Sequence, residues 1–151
     1  TGIDRIEFMV AANPGTPLAP LMKVASGGEL ARFMLALKVV LAAKGSAPTL
    51  IFDEIDTGVG GAVADAIGAR LARMADGLQV LAVTHSPQVA ARASQHMLIS
   101  KMEEVAGKRM VTRVQGLSAQ SRREEIARML SGAQVTDAAR AQADELLQGR
   151  A

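Results

Sequence analysis

The chain has 151 residues, 49% of them hydrophobic, with 17 lysines and arginines, 15 aspartates and glutamates and no cysteine. That length allows one domain with a buried core, and a formal charge of +2 is too small to require a nucleic-acid or membrane partner, although a pI of 9.4 allows a local basic face. Disulfides and thiolate metal sites are excluded, three phenylalanines without Trp or Tyr argue against base stacking as the main activity, and Lys38 and Lys44 interrupt the longest apolar run before a membrane span is reached.

In chain order, Thr1 to Phe8 carries acids and no apolar core, so a secretory start is not expected. Residues 3–11 alternate imperfectly and predict a strand, followed by ANPGTPLAP, a loop with three prolines and a glycine. From Ser26 the pattern turns helical, with Leu30, Phe33, Met34, Leu37 and Leu41 at i, i+3 and i+4 spacing. KGSAP breaks this helix, and residues 49–52 read as a continuous buried strand. DTGVGG leads into a second helix over 62–75, with Val63, Ile67, Leu71 and Met74 on one face, ended by Asp76-Gly77. Residues 79–83 (QVLAV) form another apolar strand running to Thr84-His85. A short helix after Pro87, a third strand over 96–100, a turn around Gly107 and a returning strand over 111–114 follow. Two C-terminal helices are opened by Ser121 and Thr136. The order strand, helix, strand, helix, strand predicts an α/β fold with a parallel sheet. Ligands of such sheets sit beyond the carboxyl ends of the strands, where Asp53-Glu54 and His85 fall.

Leu50-Ile51-Phe52 runs straight into Asp53-Glu54. An unpaired charge left in an apolar strand costs several kcal/mol, so the pair marks either a strand reaching water or a site. A nucleotide hydrolase needs such a pair, one carboxylate for Mg²⁺ and one to orient the attacking water. In ASGGELARFMLALK, Ser26 and Glu29 form an S-x-x-E capping box. Capping does not explain Gly27-Gly28, which weaken a helix by up to ~1 kcal/mol each but let a phosphate or another backbone approach the amides. An ordinary capped core helix is the competing reading. His85 is placed to hydrogen-bond a phosphate or water, or to be a satisfied structural residue. His96 is read as structural, and the eight methionines as packing.

Together these stretches resemble the SMC-like branch of the ATP-binding-cassette ATPases. SGGELARFMLALK is similar to the signature motif, TLIFDEID to the Walker B strand, DTGVGG to the D-loop and THS to the switch-histidine loop, in the same order and spacing. KVASGGEL, FDEIDTGVGG, THSPQVAA and ARMLSG are similar in wording to bacterial DNA-repair members of that branch, and the likeness covers essentially the whole chain. It implies that residues 1–151 are the C-terminal lobe of an ABC/SMC-type P-loop ATPase head, a mostly parallel sheet flanked by helices. It implies Asp53 as the Mg²⁺ carboxylate, Glu54 as the catalytic base and His85 on the γ-phosphate. Ser26, Gly27, Gly28 and Glu29 would serve the nucleotide of a second copy across a head-to-head dimer, and the D-loop residues Asp56, Thr57, Gly58, Gly60 and Gly61 would line that interface. Many relatives carry an aspartate about where Gly60 stands, so Gly60 is not given that residue's role. ATP and Mg²⁺, DNA as partner, double-strand-break repair and recombination, and a cytoplasmic, nucleoid-associated location without membrane contact complete the expectation.

No G-x-x-x-x-G-K-[ST] occurs in these residues, and no sustained heptad run. The chain is therefore expected to be part of a larger protein whose N-terminal lobe supplies the phosphate loop, and by itself neither to bind ATP tightly nor to turn it over. The alternatives are a non-catalytic docking lobe, or the head lobe of another SMC-type or ABC ATPase; a transporter's nucleotide-binding half fits the DEIDTG wording less well. Lys101, Lys108, Arg109 and Arg113, or Arg122, Arg123 and Arg128, could face DNA, against the simpler reading of solvated surface.

Overall fold

The computed structural model describes residues 2, 4, 6–11, 13–41, 47–104 and 109–149, without the side chains of 31, 38–40 and 104. Thr1, Ile3, the first three residues of KGSAP (Lys44 among them), Gly107 and Lys108 lie outside the described residues. The elements are β1 (Met9–Val10), β2 (Ala19–Pro20), α1 (Leu21–Val24), α2 (Gly27–Leu41), β3 (Thr49–Asp53), α3 (Gly61–Met74), β4 (Gln79–Val83), α4 (Pro87–Arg92), β5 (Met97–Glu104), β6 (Arg109–Gly116), α5 (Ala119–Ser131) and α6 (Asp137–Gln148).

The expected first strand shrinks to β1, because only the two residues of β2 pair with it, and Ile6 is left 89% exposed. A ladder extends only as far as its partner. The short helix α1, directly after Pro20, was not foreseen. In α2 the expected stripe is not the buried one. Leu35, outside it, is 2% exposed, whereas Met34 and Leu41 are 42% and 49% exposed. Apolar residues surround this helix, so its spacing does not single out a face.

β3, α3 and β4 form a parallel βαβ unit, with Thr49 opposite Gln79 and Asp53 opposite Val83. α3 covers one face of the pair, closing a core of Leu35, Phe52, Ala64, Ile67, Leu71, Met74 and Val89. Val63, expected on that face, points outward. The strands are not buried on both faces as predicted: Ile51, Leu81 and Val83 are 66%, 41% and 44% exposed on the other side.

β5 does not extend the parallel pair. It runs to Glu104 and pairs antiparallel with β6, from Met97 opposite Gly116 to Glu104 opposite Arg109, as a separate hairpin sheet. α4 has six residues. A helix of that length spans ~9 Å and cannot carry the chain back along a ~16 Å strand for a parallel return. The last two helices form as expected, but α5 is capped by Ser118, whose Oγ accepts from the Ser121 N–H at 3.2 Å, and not by Ser121. Thr136 caps α6 as predicted, accepting from the Ala139 N–H at 3.2 Å. A second core of Ala90, Ala91, Ile126, Ala127, Ala139 and Ala143 joins these helices to α4. α4 thus gives Val89 to one core and its next two residues to the other.

The α3–α4 contact depends on Gly68. A Cβ there would lie 2.9 Å from Arg92 Cγ and 3.2 Å from the Val89 Cα. The arginine stem can move but the backbone atom cannot, so Gly68→Val is expected to cost about 3 kcal/mol. Gly77→Ala, with open space around it, is expected to stay within about 0.5 kcal/mol. Urea denaturation midpoints of the two variants check this, and equal midpoints would mean the helices slide apart at no cost.

Candidate functional site

The parallel pair brings two loops to one rim. β3 ends at Asp53 opposite Val83, and the Glu54 N–H donates to the Val83 carbonyl at 3.0 Å, one step past the ladder. β4 then delivers Thr84, His85 and Ser86 beside it. Asp53, Glu54 and His85 are all exposed, so the carboxylates after the apolar strand are met by solvent and not by burial. Neither Asp53 nor Glu54 has an ion-pair partner among the described residues.

Glu54 adopts φ 48°, the left-handed region and the single positive φ outside glycine among the described residues. For a residue with a Cβ this costs about 1–2 kcal/mol. It turns the chain sharply away from the strand. The turn is tied by Thr57 N–H to the Glu54 carbonyl at 3.1 Å and Val59 N–H to the Asp56 carbonyl at 3.3 Å. Gly58, at φ 72°, then lets the loop reach Gly60, which caps α3.

Asp56 departs from its expected place at an interface. It is 3% exposed and directed inward. Its Oδ2 accepts from Thr84 Oγ1 at 2.5 Å and from the Ser86 N–H at 3.2 Å. Its Oδ1 is buried with no hydrogen-bond partner among the described residues. Thr57, Gly58, Gly60 and Gly61 remain exposed. Thr84 and Ser86 were not singled out from the sequence. The available signal was the pair of hydroxyl residues flanking His85.

At the start of α2 the predicted capping box is formed. The Ser26 N–H donates to Glu29 Oε2 at 2.7 Å, and the Glu29 N–H donates to Ser26 Oγ at 3.3 Å. The bond from the Ser26 amide holds the Glu29 carboxyl below its ordinary range. Gly27 is exposed, and the position of a Cβ on Gly28 lies 3.7 Å from the Thr57 carbonyl oxygen. The glycine turn therefore abuts the loop that follows Asp53-Glu54. The first amides of a helix have no intrahelical acceptor and favour an anion.

The chemistry of the donor set fits Mg²⁺. The ion takes one or two carboxylates and leaves its other positions to phosphates and water. Among the described residues no group of three or more His, Cys, Asp or Glu could hold a metal ion by itself. A cleft of about 330 Å³ opens beside His85, Ser86 and Gln88 against Val59, Met129 and Leu130. A larger one, about 470 Å³, is lined by His96 and Arg122 and by none of the strand-end residues. His96 is half-buried there, and burial, reinforced by the Arg122 charge and opposed by Glu125, pushes its pKa down.

Of the basic residues of α5, one serves the interior and two are engaged in ion pairs nearer the surface. Arg122, 6% exposed, donates to the carbonyls of Ala90, Ala91 and Ala93 at 2.9, 3.1 and 2.6 Å. Arg123 is bidentate to Asp144 at 2.6 and 2.7 Å, and Arg128 pairs with Glu125. On the hairpin, Lys101 stands opposite Thr112, whereas Arg113 and Arg109 stand opposite Ser100 and Glu104. Alternation places Lys101 on one face of the hairpin and the two arginines together on the other. No described helix is long and apolar enough to cross a membrane.

No family model matches the chain. It is 47% identical over 146 residues to the DNA repair protein RecN of Halalkalibacterium halodurans, covering 97% of this chain and 26% of that protein. It is 48% identical over 146 residues to RecN of Bacillus subtilis, with 97% and 25% covered. The chain thus spans about a quarter of the length of these relatives. Among solved structures, an SMC ATPase studied for ATP-driven dimerization and DNA-stimulated activation superposes with a TM-score of 0.59 at 22% identity, over 83% of this chain and 81% of that one. The SMC head domain of Pyrococcus yayanosii gives 0.55 at 24% identity, over 78% and 24%. The fold is that of an SMC-type ATPase head, with its α/β lobe as expected.

Proposed function

The chain belongs with the RecN DNA repair proteins, and from that premise we propose that it is the C-terminal lobe of an SMC-type ATPase head, hydrolysing ATP once the N-terminal lobe of the same protein and a second copy complete the site. One observation carries the reading. Two parallel strands end together with Asp53-Glu54 on one and His85 on the other, and the Ser26–Glu29 turn abuts the same loop.

In this reading Asp53 holds Mg²⁺, which when bound neutralises charge on the β- and γ-phosphates. Glu54, exposed and without an ion pair among the described residues, orients the attacking water and accepts its proton. His85 hydrogen-bonds the γ-phosphate. The Ser26 hydroxyl and the first amides of α2 offer donors to the nucleotide held by the other head, with Glu29 bracing the turn. Thr57, Gly58, Gly60 and Gly61 form the exposed part of the contact between heads. The exposed face of Ile51, Leu81 and Val83 supports a covering lobe, since two strands alone do not make a stable sheet. For the complete protein we propose ATP-dependent pairing of heads on DNA during double-strand-break repair and recombination, in the nucleoid.

Mixing two inactive full-length variants tests the composite site. Glu54→Gln disables the strand-end chemistry of its own head, and Gly28→Asp disables the turn offered to the partner. A mixed dimer keeps one intact site, so an equal mixture is expected to recover roughly a quarter of wild-type turnover. A mixture as inactive as its parts would mean that both elements serve the same head. A wild-type full-length protein without turnover would leave this lobe as a docking module.

A further inference from the structure

We infer that Asp56 is a positioning residue for His85, fastening the loop after β4 to the turn after β3. The inference rests on the proposed ATPase reading, which gives Asp56 no role; the sequence resemblance had placed it at the surface between heads. Asp56 cannot act at that surface: it is 3% exposed. Both donors that its Oδ2 accepts from belong to the residues immediately flanking the histidine, the Thr84 hydroxyl at 2.5 Å and the Ser86 amide at 3.2 Å. Thr84 Oγ1 in turn accepts from the same Ser86 amide at 2.9 Å, so three groups close a small ring around the backbone of His85.

The bracket spans 28 residues of sequence and joins the two strand ends next to one another in the ladder. A buried carboxylate is costly to desolvate, and here one of its oxygens, Oδ1, is left without a partner among the described residues. Leu, Ile or Val would fill such a space without that cost. An acidic side chain at this point is accounted for by what it holds. With the histidine backbone clamped on both sides, the imbalance between exposed His85 and buried Asp56 becomes a division of labour: one meets the phosphate, the other fixes where it stands. Asp56 also sits two residues beyond Glu54, whose φ of 48° sets the direction of the turn. The bracket therefore holds the backbone of His85 against the turn that begins at Glu54. Misplacing a reacting group by about 1 Å costs on the order of a hundredfold in rate.

The test is made in the full-length protein with Asp56→Asn, Asp56→Ala and Thr84→Val, each alone and with His85→Ala. Asp56→Ala is expected to lower kcat at least tenfold, with KM for ATP changed less than threefold, and Asp56→Asn, whose amide oxygen can still accept both hydrogen bonds, is expected to lose less. In the His85→Ala background Asp56→Ala is expected to change kcat less than twofold, because there is no imidazole left to misplace. A loss of equal size in both backgrounds would overturn the inference and make Asp56 a general stability residue. Thr84→Ser, which keeps the hydroxyl, is expected to retain turnover that Thr84→Val loses. Amide hydrogen exchange at Ser86 supplies a readout independent of turnover. Protection is expected to drop at least tenfold in Asp56→Ala, and unchanged protection overturns the bracket itself. Absence of turnover in the wild-type protein defeats the ATPase reading instead, while the exchange measurement still decides whether the bracket exists.

Discussion

Glu54→Gln in the full-length protein is expected to lower ATP turnover by about two to three orders of magnitude, the range of a removed general base, while ATP-bound heads stay paired. Glutamine keeps the size of the side chain and its capacity to hydrogen-bond water, and loses only the ability to accept the proton. Glu54 is exposed and makes no ion pair among the described residues, so its folded surroundings lose nothing when the charge goes. The left-handed turn at this position is a backbone property, equally available to Glu and Gln. Blocked chemistry with intact binding should therefore trap the nucleotide between heads. Phosphate release and the solution mass with ATP measure the two effects separately. Turnover within about threefold of wild type would remove Glu54 from the chemistry, since a base contributes at least a hundredfold.

The largest expected loss of stability lies far from that rim. Arg122→Ala is expected to destabilise the chain by about 3–4 kcal/mol, because carbonyls at the end of α4 lose a charged donor inside the protein. The carbonyls of Ala90, Ala91 and Ala93 all accept from one guanidinium nitrogen, and the side chain is 6% exposed. Lysine retains the charge but not the planar fork, so Arg122→Lys should recover less than half of the loss. Arg128→Ala is the matched comparison. Its side chain is 53% exposed and pairs within the helix with Glu125, an arrangement worth less than about 1 kcal/mol. Urea midpoints of the three variants decide the matter. A cost below about 1 kcal/mol for Arg122→Ala would mean that water replaces the guanidinium at those carbonyls.

The contrast between these two sites explains what the sequence could disclose. The rim was legible because its signals are local. An apolar run ending in Asp53-Glu54, another ending in Thr84-His85, and Ser26 three residues before Glu29 each state their geometry within a few residues, and the model forms all three. Asp56 and Arg122 were misplaced because their partners are 28 to 32 residues away. A loop aspartate and a helical arginine look solvated until tertiary contacts turn them inward. The course of the chain after α4 was misread for a related reason: the apolar run at Met97–Ser100 suits a parallel or an antiparallel neighbour equally, and the shortness of α4 decides between them. Leu35 was missed where apolar residues surround a helix and every face qualifies.

α4 has a consequence for time as well as for shape. Its six residues begin directly after the histidine loop and lend side chains to two cores at once. Surface loops usually rearrange in nanoseconds to microseconds. A loop rooted in a helix that two cores share can drift far only when one of those cores opens, and such openings carry free energies approaching that of the whole lobe. The His85 side chain is thus exposed to solvent, while the backbone beneath it is expected to move on the slow clock of the interior. In the proposed ATPase reading, a histidine that waits, already aimed, for a phosphate arriving from elsewhere gains from exposure without restlessness.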